Sequence, residues 1–246
     1  MILMYHHVCP VEKVPPDSAP LEGWAYNITP NAFERQLCNL IERGFQFVSM
    51  AKYIDMLTQS RLNYKTVTVT FDDGWKDNFE FALPILVELN IPATIFAVSG
   101  EMKGVDKSRR MSTRELLQLN GYSISVGAHT ITHPNLTLIN EQQLRRELSV
   151  SKLDLENLLG QEVHYLAYPG GRFNSRVVAA TKEAGYDAAC SVIGWGQNTP
   201  ESRYWLFRDV LSSDMRGASD RLRLNFWTRR LLSGRGRRAL ASMMAD

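Results

Sequence analysis

Residues 66–78 read TVTVTFDDGWKDN. Alternating Thr and Val, closed by Phe71, have the period-2, β-branched pattern of a strand. The strand runs straight into two neighbouring acids, Asp72 and Asp73, and a glycine. Asp-Gly is a common turn pair, so a solvated turn is one reading. The other begins from repulsion: two adjacent carboxylates do not both ionise easily unless positive charge lies beside them. On that reading one Asp holds a cation and the other moves protons.

Working outward, strand-like and helix-like segments alternate. ILMY, from Ile2, is a short apolar strand, and residues 10–28 read as a Pro-rich loop. Thr29 and Pro30 open a helix that Gly44 ends, with Phe33, Leu37, Leu40 and Ile41 on one face. A second helix covers MAKYIDMLTQS, and Pro84 kinks or restarts the helix expected over 75–90. ATIFAV, YSISVGAH, HYLAYP, DAACSV and WLFRDVL read as further strands. TRELLQLN, the stretch from Asn140 to Leu159 and NSRVVAATKEAG read as the helices between them. This alternation predicts a parallel sheet covered by helices, with functional groups at the carboxyl ends of the strands.

The chain has 246 residues, 44% of them hydrophobic, which fits one large α/β domain. A net charge of +2 carries no strong demand for nucleic acid, and none is expected as a partner. Cys9, Cys38 and Cys190 are too few and too scattered for a disulfide framework or a cysteine zinc site. The N-terminus MILMYHHVCP lacks a basic leader and no apolar run approaches about 20 residues, so a cytoplasmic protein is expected. The C-terminal piece differs: Arg216 to Arg238 holds eight Arg and one Asp, interleaved with Leu, Phe226 and Trp227. It reads either as a surface helix with a basic tail or as an amphipathic segment drawn to anionic lipid at the inner membrane. The division expected is a catalytic domain over 1–211 and a basic helix and tail over 212–246.

Two further clusters follow strands. His129 and His133 lie four apart in HTITHP, where β-branched neighbours and Pro134 favour a tight turn over a helix. Two His and one Asp make a three-ligand metal site with open positions, the catalytic arrangement. The remaining Asp would then accept a proton from water beside the cation.

TFDDG, HTITHP and YPGG, in that order, resemble the polysaccharide deacetylase (NodB homology) family of carbohydrate esterases. The likeness spans roughly Ile2 to Leu211 and implies a distorted (β/α) barrel of about seven parallel strands. It implies hydrolysis of N-acetyl groups on amino sugars, with Asp72 as general base and Asp73, His129 and His133 as ligands of a divalent ion, commonly zinc and sometimes cobalt. Tyr168, Pro169 and Gly170 match the motif that lines the groove, and the Tyr168 amide is expected to meet the oxyanion. Ala167 stands where the family carries an Arg, and no His follows His164, so the usual C-terminal acid is missing. LMYHHV resembles the circularly permuted poly-N-acetylglucosamine deacetylase-like branch, in which an N-terminal His serves as acid. His6 takes that role on this reading, with His7 pointing the other way. Arg208 is a candidate replacement for the missing Arg. Tyr5, Trp75, Tyr168 and Trp195 could stack on pyranose faces, though each ring taken singly reads as core.

The expected substrate is an N-acetylated glycan of the bacterial envelope or an exopolysaccharide, or its lipid-linked precursor. Two alternatives remain: removal of formyl from a lipid-linked amino sugar, and a non-catalytic carbohydrate-binding module on the same fold.

Overall fold

The structure, a computed structural model, describes residues 1–14, 26–101, 109–192 and 197–211. The basic C-terminal segment 212–246 and Trp195 lie outside the described residues. The strands are β1 (Ile2–Tyr5), β2 (Gln46–Phe47), β3 (Thr66–Phe71), β4 (Ala93–Ala97), β5 (Ile124–Ala128), β6 (Tyr165–Ala167), β7 (Ala188–Cys190) and β8 (Asp209–Val210). The helices are α1 (Pro30–Glu42), α2 (Met50–Thr58), α3 (Leu83–Glu88), α4 (Thr113–Gln118), α5 (Glu141–Leu159) and α6 (Ser175–Glu183).

Seven strands pair in the order β7-β6-β5-β4-β3-β1-β8, all parallel, while β2 adds a short pairing to the start of β3. The segment before β8 also bridges Leu206 to Cys190 of β7, and β8 pairs with β1. One extended stretch thus touches both ends of the sheet and curls it into a distorted (β/α) barrel. Among the described residues, no helix is long and apolar enough to cross a membrane.

The period-2 alternation of TVTVTF sorts its residues between two environments. Val67, Val69 and Phe71 join the larger apolar cluster with Phe33 and Leu37 of α1 and Leu144, Leu148 and Leu155 of α5. Each such fully buried side chain stabilises by about 1.5–3 kcal/mol. Thr66, Thr68 and Thr70 fall outside that cluster and are nonetheless fully buried. A closed sheet buries both faces, and here the second face is partly polar.

The helix ends follow their capping residues. Thr29 accepts from the Ala32 amide, and Asn140 and Gln143 form a reciprocal capping box. Gly160 takes the left-handed conformation that closes α5. The stretch expected as a helix that Pro84 kinks or restarts is a π-helical turn, Asn78–Ala82, that restarts as α3 with Pro84 in its first turn. Pro84, which has no N–H to donate, stands where the bonding changes: the Leu83 amide just before it still reaches back to the Asn78 carbonyl.

Candidate active site

Asp72, directly after β3, is 3% exposed. Its Oδ1 and Oδ2 each accept from Arg208, from Nη1 and Nη2, at 2.6 Å. Arg208 is wholly buried and also donates through Nε to the Ser191 carbonyl at 2.8 Å and through Nη1 to Thr70 Oγ1 at 3.3 Å. This is a planar two-pronged pair, the geometry guanidinium forms with carboxylate. Burial by itself would raise the Asp72 pKa, but the Arg208 charge and the positive neighbours outweigh it and hold the carboxyl at about 2. Arg208 therefore neutralises Asp72 and fixes the plane of its carboxylate.

Asp73 lies one residue on and is held differently. Its backbone has φ 72°, a left-handed value uncommon outside glycine. Its Oδ2 accepts from Trp75 Nε1 at 3.1 Å, whereas its Oδ1 is buried without a hydrogen-bond donor. That oxygen faces His129 Nε2 at 3.6 Å and His133 Nε2 at 3.5 Å. The three ligand atoms lie within 4.8 Å of one another.

The tautomer of His129 follows from its other nitrogen. Nδ1 lies 2.7 Å from the Ala167 carbonyl, which can only accept, so Nδ1 carries the proton and Nε2 presents a lone pair. Burial pushes the ring down to about 4, against the pull of Asp72 and Asp73, so it is neutral near pH 7. A lone pair then faces the orphaned carboxylate oxygen with no proton between them. A cation satisfies that arrangement where a hydrogen bond does not. Tetrahedral zinc with bonds of about 2.0–2.1 Å needs ligand atoms roughly 3.4 Å apart, close to the two Asp73 distances. The residues therefore fit a divalent ion.

Turn chemistry holds the second His. Thr130 and His133 both have positive φ, and Thr130 Oγ1 accepts from the His133 amide at 3.0 Å. Glu147, from α5, accepts from the amides of Ile131 and Thr132 at 2.8 and 3.0 Å and from the Thr132 hydroxyl at 2.7 Å. One carboxylate thus replaces the helical bonds this loop lacks. Its position 14 residues beyond His133, on an exposed helix, gave no signal in the sequence.

Arg110 was also not anticipated. Its guanidinium lies 4.2 Å from the centre of the Trp75 ring, bonds the Asp73 carbonyl and stands 3.5 Å from Asp73 Oδ1.

His6 follows β1 and is partly exposed, although its Nδ1 is buried without a partner. Its ring stacks on Tyr26 with centroids 5.0 Å apart. Burial lowers its pKa and the Arg208 and His7 charges add to that; Asp72 and Asp73 pull it upward without restoring the ordinary value. His7 is wholly buried, lies against Trp75 with ring centroids 4.4 Å apart, and has Nδ1 2.5 Å from Asp77 Oδ2.

One expectation is corrected. The Tyr168 amide donates to the Cys190 carbonyl at 3.0 Å as part of the β6–β7 pairing, so it does not serve an oxyanion. The turn Pro169–Gly171 that follows exposes Gly170 instead, at φ 60°. Gly171, at φ 68°, admits no side chain, because a Cβ there would lie 2.5 Å from the Val192 amide nitrogen. Of the aromatic candidates, the three among the described residues are core, as the reading of each ring taken singly had it. Tyr5 and Tyr168 are fully buried, with hydroxyls on Gln36 and the Tyr204 carbonyl, and Trp75 is 3% exposed. Each of these rings has its polar atom satisfied from within the fold.

Comparison with known proteins shows what the chain as a whole is similar to. A family model described as polysaccharide deacetylase matches residues 59–189. The Bacillus subtilis protein YxkH, named for the same family, is 27% identical over 219 residues, covering 89% of this chain and 73% of that protein. A Staphylococcus aureus poly-beta-1,6-N-acetyl-D-glucosamine N-deacetylase is 21% identical over 200 residues, 77% of this chain and 69% of its own. The solved structure of IcaB from Ammonifex degensii is 24% identical with a TM-score of 0.76, over 93% of this chain and 96% of that one, and shares the fold.

Proposed function

From the premise that the chain belongs to the polysaccharide deacetylase family, we propose that it is a metal-dependent hydrolase that removes the N-acetyl group from an amino sugar of a bacterial envelope glycan or exopolysaccharide, or of its lipid-linked precursor. The observation that carries the reading is the orphaned Asp73 Oδ1 facing two imidazole nitrogens, one residue from the Asp72–Arg208 pair. Asp73, His129 and His133 hold a divalent ion, zinc or cobalt by donor chemistry. Such an ion supplies Lewis acidity to the acetamide carbonyl and makes water a better nucleophile.

Asp72 takes the proton of the attacking water. It is already ionised at neutral pH, and Arg208 fixes its plane. His6, protonated, gives its proton to the amide nitrogen as the carbon–nitrogen bond breaks, releasing amine and acetate. The Gly170 amide, on the exposed turn after β6, is the donor assigned to the oxyanion. An N-acetylglucosamine polymer is the favoured substrate class, supported by the name of the Staphylococcus relative. Residues 1–211 form the catalytic domain on this reading, and the Arg-rich 212–246 segment contacts anionic membrane from the cytoplasmic side.

Acetate release from N-acetylglucosamine oligomers, with and without a chelator, tests the proposal. Asp72→Asn is expected to lose about 10²–10⁴-fold in kcat while still binding Zn2+. Full turnover by that variant ends the base assignment.

A further inference from the structure

The stretch that opens with Asp72 and Asp73 closes with Asp77 and Asn78, two residues the proposed reaction leaves unused. Both reach back to the exit of β1. Asp77 Oδ2 lies 2.5 Å from His7 Nδ1, and Asp77 Oδ1 accepts from the Val8 amide at 3.2 Å. Asn78 Nδ2 donates to the His6 carbonyl at 2.7 Å and to Asp77 Oδ1 at 2.9 Å. These two acceptors fix the orientation of the amide, since its oxygen would meet only other oxygens there. Two consecutive residues after β3 thus hold three consecutive residues after β1.

The sheet does not make this grip redundant. The last ladder bond between these strands is the Asp72 amide to the Tyr5 carbonyl, at 3.0 Å. Beyond it the β1 chain leaves the sheet, and the next carbonyl, that of His6, finds its donor in Asn78. The other edge of the same segment is held by Ile28, whose amide donates to the His7 carbonyl at 3.1 Å. His7 supplies the packing: its buried ring lies against Trp75, whose Nε1 donates to Asp73 Oδ2. The backbone of His6 and the carboxylate of Asp73 are therefore fixed through one contiguous set of contacts.

We propose that Asp77 and Asn78 are positioning residues that latch the His6–Val8 backbone to the loop carrying Asp72 and Asp73, and so set the reach of the His6 ring into the site. The inference rests on the acid role of His6 given above. It explains how a proton donor from the first strand keeps its distance to groups more than sixty positions away in the chain. Binding, proton removal and proton delivery then move as one body. Misplacing a catalytic group by about 1 Å costs on the order of 10²-fold in rate, so a bond to a backbone carbonyl is enough to matter.

The test compares Asn78→Asp, Asn78→Ala and Asp77→Asn, each alone and combined with His6→Ala. Turnover is read on N-acetylglucosamine oligomers, Zn2+ affinity on the metal-free protein, and the His6 ring by nitrogen–proton correlation spectra. Asn78→Asp keeps the shape and loses the donor. It is expected to lower kcat roughly 10–100-fold, with KM and Zn2+ affinity within about twofold of wild type, and to move the His6 ring signal. In the His6→Ala background the same change is expected to cost less than about twofold, because the group it positions is gone. Asn78→Ala is expected to behave alike and stands in if the Asp variant does not fold. Equal losses in both backgrounds, or an unmoved His6 signal, overturn the latch. A His6→Ala protein with wild-type kcat overturns the acid reading itself, and the latch with it, by a distinct observation.

Discussion

Asp72 and Asp73 are neighbours in sequence and opposites in the fold. Asp72 is closed: both oxygens are taken by a buried guanidinium at 2.6 Å, and no further cation is needed to neutralise it. Asp73 is open: one oxygen holds the Trp75 indole, and the other lacks a hydrogen-bond donor while two imidazoles face it and the Arg110 guanidinium stands 3.5 Å away. The same carboxylate, one residue apart, is thus assigned different chemistry by its partner alone. A permanently paired acid keeps its charge and orientation and remains fit to take a proton. An acid with an orphaned buried oxygen is fit to take a metal.

The largest effect that would break this contrast comes from the closed pair. Arg208→Ala leaves Asp72 buried and uncompensated, and an expected loss of about 3–5 kcal/mol should appear in urea unfolding. Arg208→Ala combined with Asp72→Asn removes both charges and is expected to recover most of that loss. A single variant as stable as wild type would mean that the pair does not neutralise a buried charge.

Acid titration of the metal-free protein sharpens the contrast next. The folded Asp72 carboxyl sits at about 2, below its ordinary 3.8, so the unfolded chain binds its proton first. Its contribution is complete above about pH 4 and drains as pH falls toward 2, amounting to about 2 kcal/mol at 1.36 kcal/mol per pH unit. His129, pushed down to about 4 by burial, drains stability earlier, as pH falls from about 6.5 toward 4. Stability measured against pH is therefore expected to decline in two windows; Asp72→Asn is expected to shrink the lower one, to which Asp73 also contributes, and to extend the upper one to lower pH, because Asp72 pulls the His129 ring upward.

The smallest effect tests the open acid. Trp75→Phe keeps the aromatic ring against His7 and Arg110 and removes the donor to Asp73 Oδ2. Loss of such an outer contact is expected to weaken Zn2+ binding to the metal-free protein by roughly tenfold, read by chelator competition. Unchanged affinity would show that Asp73 is oriented by its backbone alone.

Much of this was legible because the signals are local. Capping residues Thr29, Ser49, Asn140 and Asn174 stand directly before the helices they open, and each accepts from a backbone amide three residues on. The Thr/Val alternation gave β3 its bounds because a strand's period is two residues. The sites were less evenly readable. Arg208 at Asp72 was anticipated only through the family likeness, in which an Arg orients the base and Ala167 leaves its usual place empty. The engagement of the Tyr168 amide with Cys190 was not anticipated, since a motif names a residue without saying which strand will claim its N–H. Glu147, Arg110, Asp77 and Asn78 left no trace in the pattern, because each acts on residues brought near by strand pairing and loop packing rather than by neighbourhood in the chain.

The sequence by itself determined the alternation of strands and helices, the family likeness, and which residue types could ligate an ion or move a proton. Those follow from propensities and motifs that act over a few residues. Only the tertiary structure decided which acid is closed and which open, how the stretch from Leu206 to β8 joins the two ends of the sheet, and how the β1 exit is tied to the Asp72–Asp73 loop. Charge pairing and backbone bonding are settled by distances of about 3 Å between residues remote in the chain, and no local pattern encodes such distances.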